Sequence, residues 1–456
     1  MRSLFVMALV FAWVPAIAMW PYLGIVVWMW ISYMNPHRLT DGMAYDFPVA
    51  EIVAIATLLA WVFSRERKEL PMRPLVVLIL VYTIFTTITS ATSLNPPLAW
   101  EKWEVFVKVI LFTLITIPLI NTRERLHAII WVMVISCGYF AMRGGLFTAL
   151  TLGAYRVFGP PGTFHGDNNG IAVTFLMILP LIRYLQLQTE NRFAWFCFLG
   201  AQILTLFAVF GTQSRGALVA LLAMTIYLLI RSRRIGTMIV IGVAGLLAYN
   251  FMPEEMKERQ GTTLDYQEDA SAMGRITMWN FAIDVANDRP IVGGGFNVFY
   301  DNPTRARLLP RNEKGEQEQG RAAHSIYFEV LGEHGYVGLG LYLLTGVWAF
   351  FAAERLAARG RRRPDTKWAS DLARMIQYSL IGFAVGGAFL TKATFDLYYH
   401  LLALIVITEL LVAKAAKTEV PEVIPPGDPI LAFFLKPRLK AFKPPAGGAR
   451  DFRKPR

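Results

Sequence analysis

The residue whose type and place could do chemistry most directly is His324. It stands before Ser325 and the apolar run Ile326, Tyr327, Phe328, Val330 and Leu331, a pattern that predicts a helix start with Ser325 as its N-cap. A histidine at a helix N-terminus feels the positive end of the dipole, which disfavours the imidazolium and leaves a lone pair free to accept a proton. That is what a general base requires. A histidine that only caps its helix or sits at an interface is the plainer alternative, and this stretch does not choose between them. Gly335 is placed to end the short helix as an αL cap, and Tyr336 to Phe351 then reads as a membrane span.

Two arginines could complement that base. Arg215, in Gly211-Thr212-Gln213-Ser214-Arg215-Gly216, lies in a loop too short to carry it away from the membrane. It either snorkels toward head groups or grips a phosphate with its planar fork. Gly274-Arg275 opens an amphipathic helix with Met278, Phe281, Ile283 and Val285 among its apolar positions, ending near Asn287-Asp288-Arg289-Pro290; Gly293-Gly294-Gly295 then reads as a flexible turn. The same segment carries Arg289, Arg305, Arg307, Arg311 and Arg321, enough to cover an anionic substrate, although surface solubility accounts for most of them. Between Tyr155 and Asn169 a run of turn formers carries Arg156 and His165, and Asn168 or Asn169 can cap the next span. Arg156, Arg289, Arg321 and Lys392 complete the candidate substrate-binding set, with Lys392 and Asp396 also placed to pair with each other.

The elements that must hold these residues are membrane helices. Apolar residues make up 55% of the 456, and many apolar runs reach the roughly 20 residues that a bilayer-spanning helix needs. The runs are continuous, not alternating, so the expected fold is an all-α polytopic helix bundle. Spans read as Phe47 to Ser64, Leu75 to Thr92, Val105 to Ile120, Ala128 to Leu150, Gly170 to Leu187, Phe193 to Gly211, Ala217 to Ile230, Thr237 to Met252, Tyr336 to Ala353, Ile376 to Leu390 and Tyr398 to Ala413. Leu4 to Met34 forms one broken span or two short ones, which makes about 12 or 13 crossings. With no small-residue cleavage site, that first run is an internal anchor.

Basic clusters at Arg65 to Arg73, Arg123 and Arg125, Arg183 and Arg192, Arg231 to Arg234 and Arg359 to Arg363 occupy alternate loops, which the positive-inside rule makes cytoplasmic. The loops around Asn95, Pro160, Ser214 and Lys392, and the large one from Pro253 to Ala323, then face outward. The net charge of +12 is absorbed by this topology and by anionic lipid, leaving no case for nucleic acid. Cys137 and Cys197 both lie in apolar runs and read as small buried hydrophobes. Glu254, Glu255, Asp265, Glu268 and Asp269 read as a solvated surface run; no metal-ligand cluster, nucleotide fingerprint or cofactor motif is legible. The chain divides into an N-terminal transmembrane region, 1–150; central helices with Arg215, 151–252; an outward loop and catalytic segment, 253–335; C-terminal helices, 336–416; and a basic, Pro-rich cytoplasmic tail, 417–456.

Over roughly residues 150 to 415 the chain resembles the O-antigen ligase family of bacterial envelope glycan ligases and polymerases. His324-Ser325, nine residues, then Gly335-Tyr336-Val337-Gly338 matches the family's histidine motif, and Gln213-Ser214-Arg215-Gly216 and Gly274-Arg275 match the places of its two arginines. The first third, with Ser32-Tyr33-Met34-Asn35-Pro36-His37-Arg38, looks like the N-terminal extension of the O-glycosylation ligases that accompany exosortase A systems. The resemblance implies a metal-independent glycosyltransferase of the GT-C class in the bacterial inner membrane. Its site would face the periplasm, with an undecaprenyl-diphosphate-linked glycan as donor and a glycan, lipid or protein as acceptor. Arg215 and Arg275 would hold the diphosphate while His324 activates the acceptor hydroxyl. A polysaccharide polymerase with the same donor, or a transporter of lipid-linked sugar, shares much of this pattern.

Overall fold

The computed structural model describes residues 2–232, 270–309 and 321–417. The expected span Thr237 to Met252, the acidic run from Glu254 to Asp269, Arg311 and the tail beyond Lys417 fall outside the described residues. Helices and turns account for all regular structure among those described. In chain order the helices are α1 Arg2–Met19, α2 Pro21–Met34, α3 Val49–Phe63, α4 Pro74–Ala91, α5 Pro96–Leu119, α6 Arg123–Leu150 and α7 Asn168–Gln188. They continue with α8 Arg192–Gly211, α9 Arg215–Ser232, α10 Ala270–Asp288, α11 Asn302–Leu308, α12 Ile326–Gly360, α13 Lys367–Gly387 and α14 Asp396–Lys417.

Seven of these helices are long and apolar enough to cross a membrane, and Pro21–Met34 and Val49–Phe63 are shorter apolar helices. The molecule is a multi-pass all-α membrane protein. The open choice at the N-terminus resolves into two helices, because Trp20 leaves helical geometry (φ −133, ψ 88) and Pro21 restarts the next helix at a position where its missing N–H costs nothing. Helix α5 begins well before the expected Val105: Asn95 caps it and Pro96 opens it, so the polar turn carrying Glu101, Lys102 and Glu104 is helical too. Cys137 is buried as expected, but Cys197 is exposed, since α8 turns most of its surface away from the core.

The bundle has two ends, and loop contacts sort between them as alternating charge requires. At one end Arg125 pairs with Glu66 at 2.8 Å, Arg123 donates to Gln188 at 3.2 Å and Arg231 pairs with Glu354 at 2.7 Å. At the other end Leu94 N–H donates to the Gly294 carbonyl at 2.9 Å, Asn95 to Asp301 at 2.9 Å and Asn168 to the Thr212 carbonyl at 3.0 Å. Helix α10 lies on this second end as a cap, burying Met278, Phe281, Ala282 and Val285 against Val298, Phe299 and Ala323. The Ser32 to Arg38 stretch ends α2 against α14, where the Ser32 hydroxyl donates to Asp396 and Tyr33 bonds His400 Nδ1 at 2.6 Å.

Candidate active site

Helix α12 is broken at Gly335, whose φ of 67 and ψ of −171 lie outside the αL region, so the expected αL cap does not form. A break frees carbonyls that need partners. Gly294 N–H donates to the Gly332 carbonyl at 2.9 Å, Gly295 N–H to the Glu333 carbonyl at 2.8 Å, and Tyr336 N–H to the Pro290 carbonyl at 2.9 Å. The triple glycine, expected as a flexible turn, is therefore a docked one. Backbone approach explains the residue type: a Cβ on Gly293 would stand 2.5 Å from the Gly335 nitrogen.

His324 enters this helix in a left-handed conformation, φ 49, a costly state for a side chain larger than glycine. Its N–H donates to the Thr391 hydroxyl at 2.7 Å, which fixes it to the turn between α13 and α14. Ser325 occupies the N-cap position but its hydroxyl makes no capping bond; it is buried, 1% exposed. Burial first, then the positive charges of Arg275 and Arg321, hold the His324 imidazole below its ordinary range, with Asp167 opposing them. A neutral imidazole was expected from the helix dipole; seclusion and neighbouring guanidinium groups are the causes seen here.

Arg275 is brought to His324 by its helix. One turn later on α10, Trp279 stacks on Phe328 at 4.8 Å, and its Nε1–H donates to the Ala323 carbonyl at 2.8 Å. Residues four apart share a helix face, so the anchor that seats Trp279 also seats Arg275. Arg321 reaches back over Gly274, 2.9 Å from where a Cβ there would stand.

Arg215 opens α9 and is exposed. Ser214 before it donates to Asn169 at 2.6 Å, and Gly216 after it packs against Phe389, two residues before Thr391. Arg156 is tied to the same loop, its Nε donating to Gln213 at 3.1 Å. The next helix is capped by Asp167, which accepts from Gly170 N–H at 2.7 Å; Asn168 and Asn169, expected as caps, instead bind the Thr212 to Ser214 turn.

Lys392 does not pair with Asp396. Its amine donates to the Phe164 carbonyl and stands 3.8 Å from Asp167, because the turn aims it at the 153–167 loop while Asp396 begins α14 and receives Ser32 and its own Leu397 N–H. Burial lowers the Lys392 pKa, and burial together with Lys392 pushes the enclosed His165 down to about 3. Arg289 points elsewhere: its guanidinium donates to the Thr92 carbonyl and pins the end of α10 onto α4.

A second polar group, not anticipated from sequence, lies under the site. Lys102 on α5 pairs at 2.7 Å with both Glu329 and Glu333, each 2% exposed, and His334 beside them bonds Thr89 at 2.7 Å. The available signal was two glutamates four residues apart in an otherwise apolar run.

From Ile326 an apolar groove of about 260 Å³ runs down α12 between α13 and α14, lined by Tyr327, Tyr342, Gly346, Phe350, Ala384 and Tyr398. A charged head beside a long apolar furrow suits an amphipathic substrate.

Comparison with known families divides the chain in two. Residues 200–343 match the family model described as O-antigen ligase, a stretch that holds Arg215, Arg275, His324 and the break at Gly335. Residues 1–190 match a family of unknown function, DUF5935, which contributes Lys102, Arg156 and Asp167. No curated protein matches the chain.

Proposed function

We propose that this chain, which carries an O-antigen ligase domain over residues 200–343, is a membrane glycosyltransferase. It transfers an oligo- or polysaccharide from undecaprenyl diphosphate to an acceptor hydroxyl on the periplasmic side, without a metal ion. The observation that carries this reading is the half-buried His324, within electrostatic reach of Arg275 and Arg321, at the head of an apolar groove. A lipid-linked donor has the matching shape, an anionic diphosphate continued by a long hydrocarbon chain.

In the proposed step His324 takes the proton of the acceptor hydroxyl, whose oxygen attacks the anomeric carbon while the bond from that carbon to the diphosphate oxygen breaks. The leaving polyprenyl diphosphate carries the charge that develops. Arg215 and Arg275 stabilise it, a task that fixed guanidinium groups perform as a metal would. Lys392 and Arg321 line the approach, and Arg156 extends it toward the Gln213 loop. The Ser32 to Arg38 motif supports placing the chain with the O-glycosylation ligases of exosortase A systems.

The test is incubation of purified protein with undecaprenyl-diphosphate-linked glycan and candidate acceptors in EDTA, scoring transfer and donor binding separately. His324→Ala should lower the single-turnover rate by roughly 10²-fold or more with donor binding nearly intact. Arg215→Ala should weaken both, and Arg215→Lys restore them only in part, since an ammonium lacks the fork. A His324→Gln protein that keeps most activity would end the base role. Transport of donor without transfer would favour a flippase, and a requirement for added magnesium would reveal a metal.

A further inference from the structure

We propose that Lys102, in the region of unknown function, is a positioning residue for the transfer site: its ammonium locks three separate parts of that site together through Glu329 and Glu333. The inference rests on the reading above for its activity measurement, but its geometry stands apart from it.

Each part can be followed from the lysine. Lys102 Nζ lies 2.7 Å from Glu329 Oε1 and 2.7 Å from Glu333 Oε1. The other oxygen of Glu329 accepts the Ala393 N–H at 2.9 Å, and Ala393 is two residues past Thr391, whose hydroxyl receives the His324 N–H. Glu333 Oε1 also accepts the Asn297 N–H at 2.9 Å, while its carbonyl takes Gly295 N–H, so the turn following the Arg275 helix is held as well. One cation thus fastens the start of α12, the 391–393 turn and the 295–297 turn.

Side-chain chemistry explains why the cation matters. The two carboxylates are four residues apart on one helix face and both are secluded from water. Without Lys102 the pair would repel in a medium that screens poorly or shed charge by taking up a proton, and either way its bonds to the backbone N–H groups would weaken. A well-packed apolar trio would fill the same space without that liability. An ionic latch adds direction: Glu329 divides its two oxygens between Lys102 and the Ala393 N–H, and Glu333 Oε1 serves both Lys102 and the Asn297 N–H.

The experiment uses the full chain in nanodiscs, in a Cys197→Ser background with Ala393→Cys as reporter. Ala393 is 2% exposed, so its thiol should react slowly with a maleimide. Lys102→Met should speed that labelling by about tenfold or more, as local opening becomes easier. It should also lower the single-turnover transfer rate by about tenfold to a hundredfold. Lys102→Arg should recover much of both, whereas Lys108→Met, at an exposed pair on the same helix, should change neither. If Lys102→Met fails to fold, the triple variant Lys102→Met, Glu329→Gln, Glu333→Gln removes the buried charges and should still show fast labelling and slow transfer. Labelling and transfer like the parent in either variant would overturn the proposal. A parent that never transfers glycan, but whose labelling responds to Lys102→Met, would instead count against the ligase reading and leave the latch standing.

Discussion

His324 keeps its proton off through burial, with Arg275 and Arg321 adding to the effect and Asp167 opposing it, and this balance dictates how its pH response should move. If His324 is the base, kcat/KM rises as the imidazole deprotonates, so the acid limb of the profile follows its pKa. Asp167→Asn removes a charge that raises that pKa, keeps an oxygen for the Gly170 N–H, and should move the limb to lower pH. Arg321→Gln removes a charge that lowers it and should move the limb to higher pH. Transfer rates across a pH series check both signs; shifts in the same direction, or none, would detach the limb from His324. At this scale the sequence offered His324, Arg275 and Arg321 as candidates, and the structure sets both arginines close enough to act on the imidazole. The sequence did not carry Lys102, because that pairing spans 227 and 231 residues and depends on how α5 and α12 are set in register, which no local pattern encodes.

Helix α12 is two helical stretches joined at Gly335, where the Gly332 and Glu333 carbonyls and the Tyr336 N–H bond the 290–295 turn instead of one another. Gly335 adopts a combination of φ and ψ open essentially to glycine alone, and a Cβ there would stand 2.6 Å from the Pro290 carbonyl oxygen. Gly335→Ala should therefore cost at least about 1–3 kcal/mol from backbone strain alone. Thermal unfolding followed by circular dichroism reads this as a lowered Tm. Gly340→Ala serves as the comparison on the same helix, because a Cβ there meets nothing within 4 Å and alanine favours helix. Equal melting of the two variants would show that the break carries no strain. Periodicity made the short helix, the glycine and the following span legible. What filled the opened carbonyls was not legible, since three glycines in a row describe conformational freedom and not the surface against which that freedom is used.

For the molecule as a whole, charged loops foretold which connections meet at which end, and the Asn168 to Thr212 and Arg125 to Glu66 contacts fall on opposite ends accordingly. The assignment of those ends to compartments is a matter for labelling. In right-side-out vesicles of a Cys197→Ser protein, an impermeant maleimide should modify Ile291→Cys and spare Lys68→Cys; the reverse pattern would invert the topology. The groove beside α12 adds a kinetic consequence. Leu343, Val347 and Phe351 on its rim are exposed, so it opens sideways toward lipid. A donor that seats there arrives by diffusion in the plane of the bilayer, and its effective concentration is a mole fraction. Mixing inert lipid into the vesicles should slow transfer at constant bulk donor, whereas diluting the whole suspension with buffer should leave turnover per enzyme unchanged. Saturation would then be a two-dimensional property, and any long-chain lipid able to occupy the same furrow would act as a competitor from within the membrane.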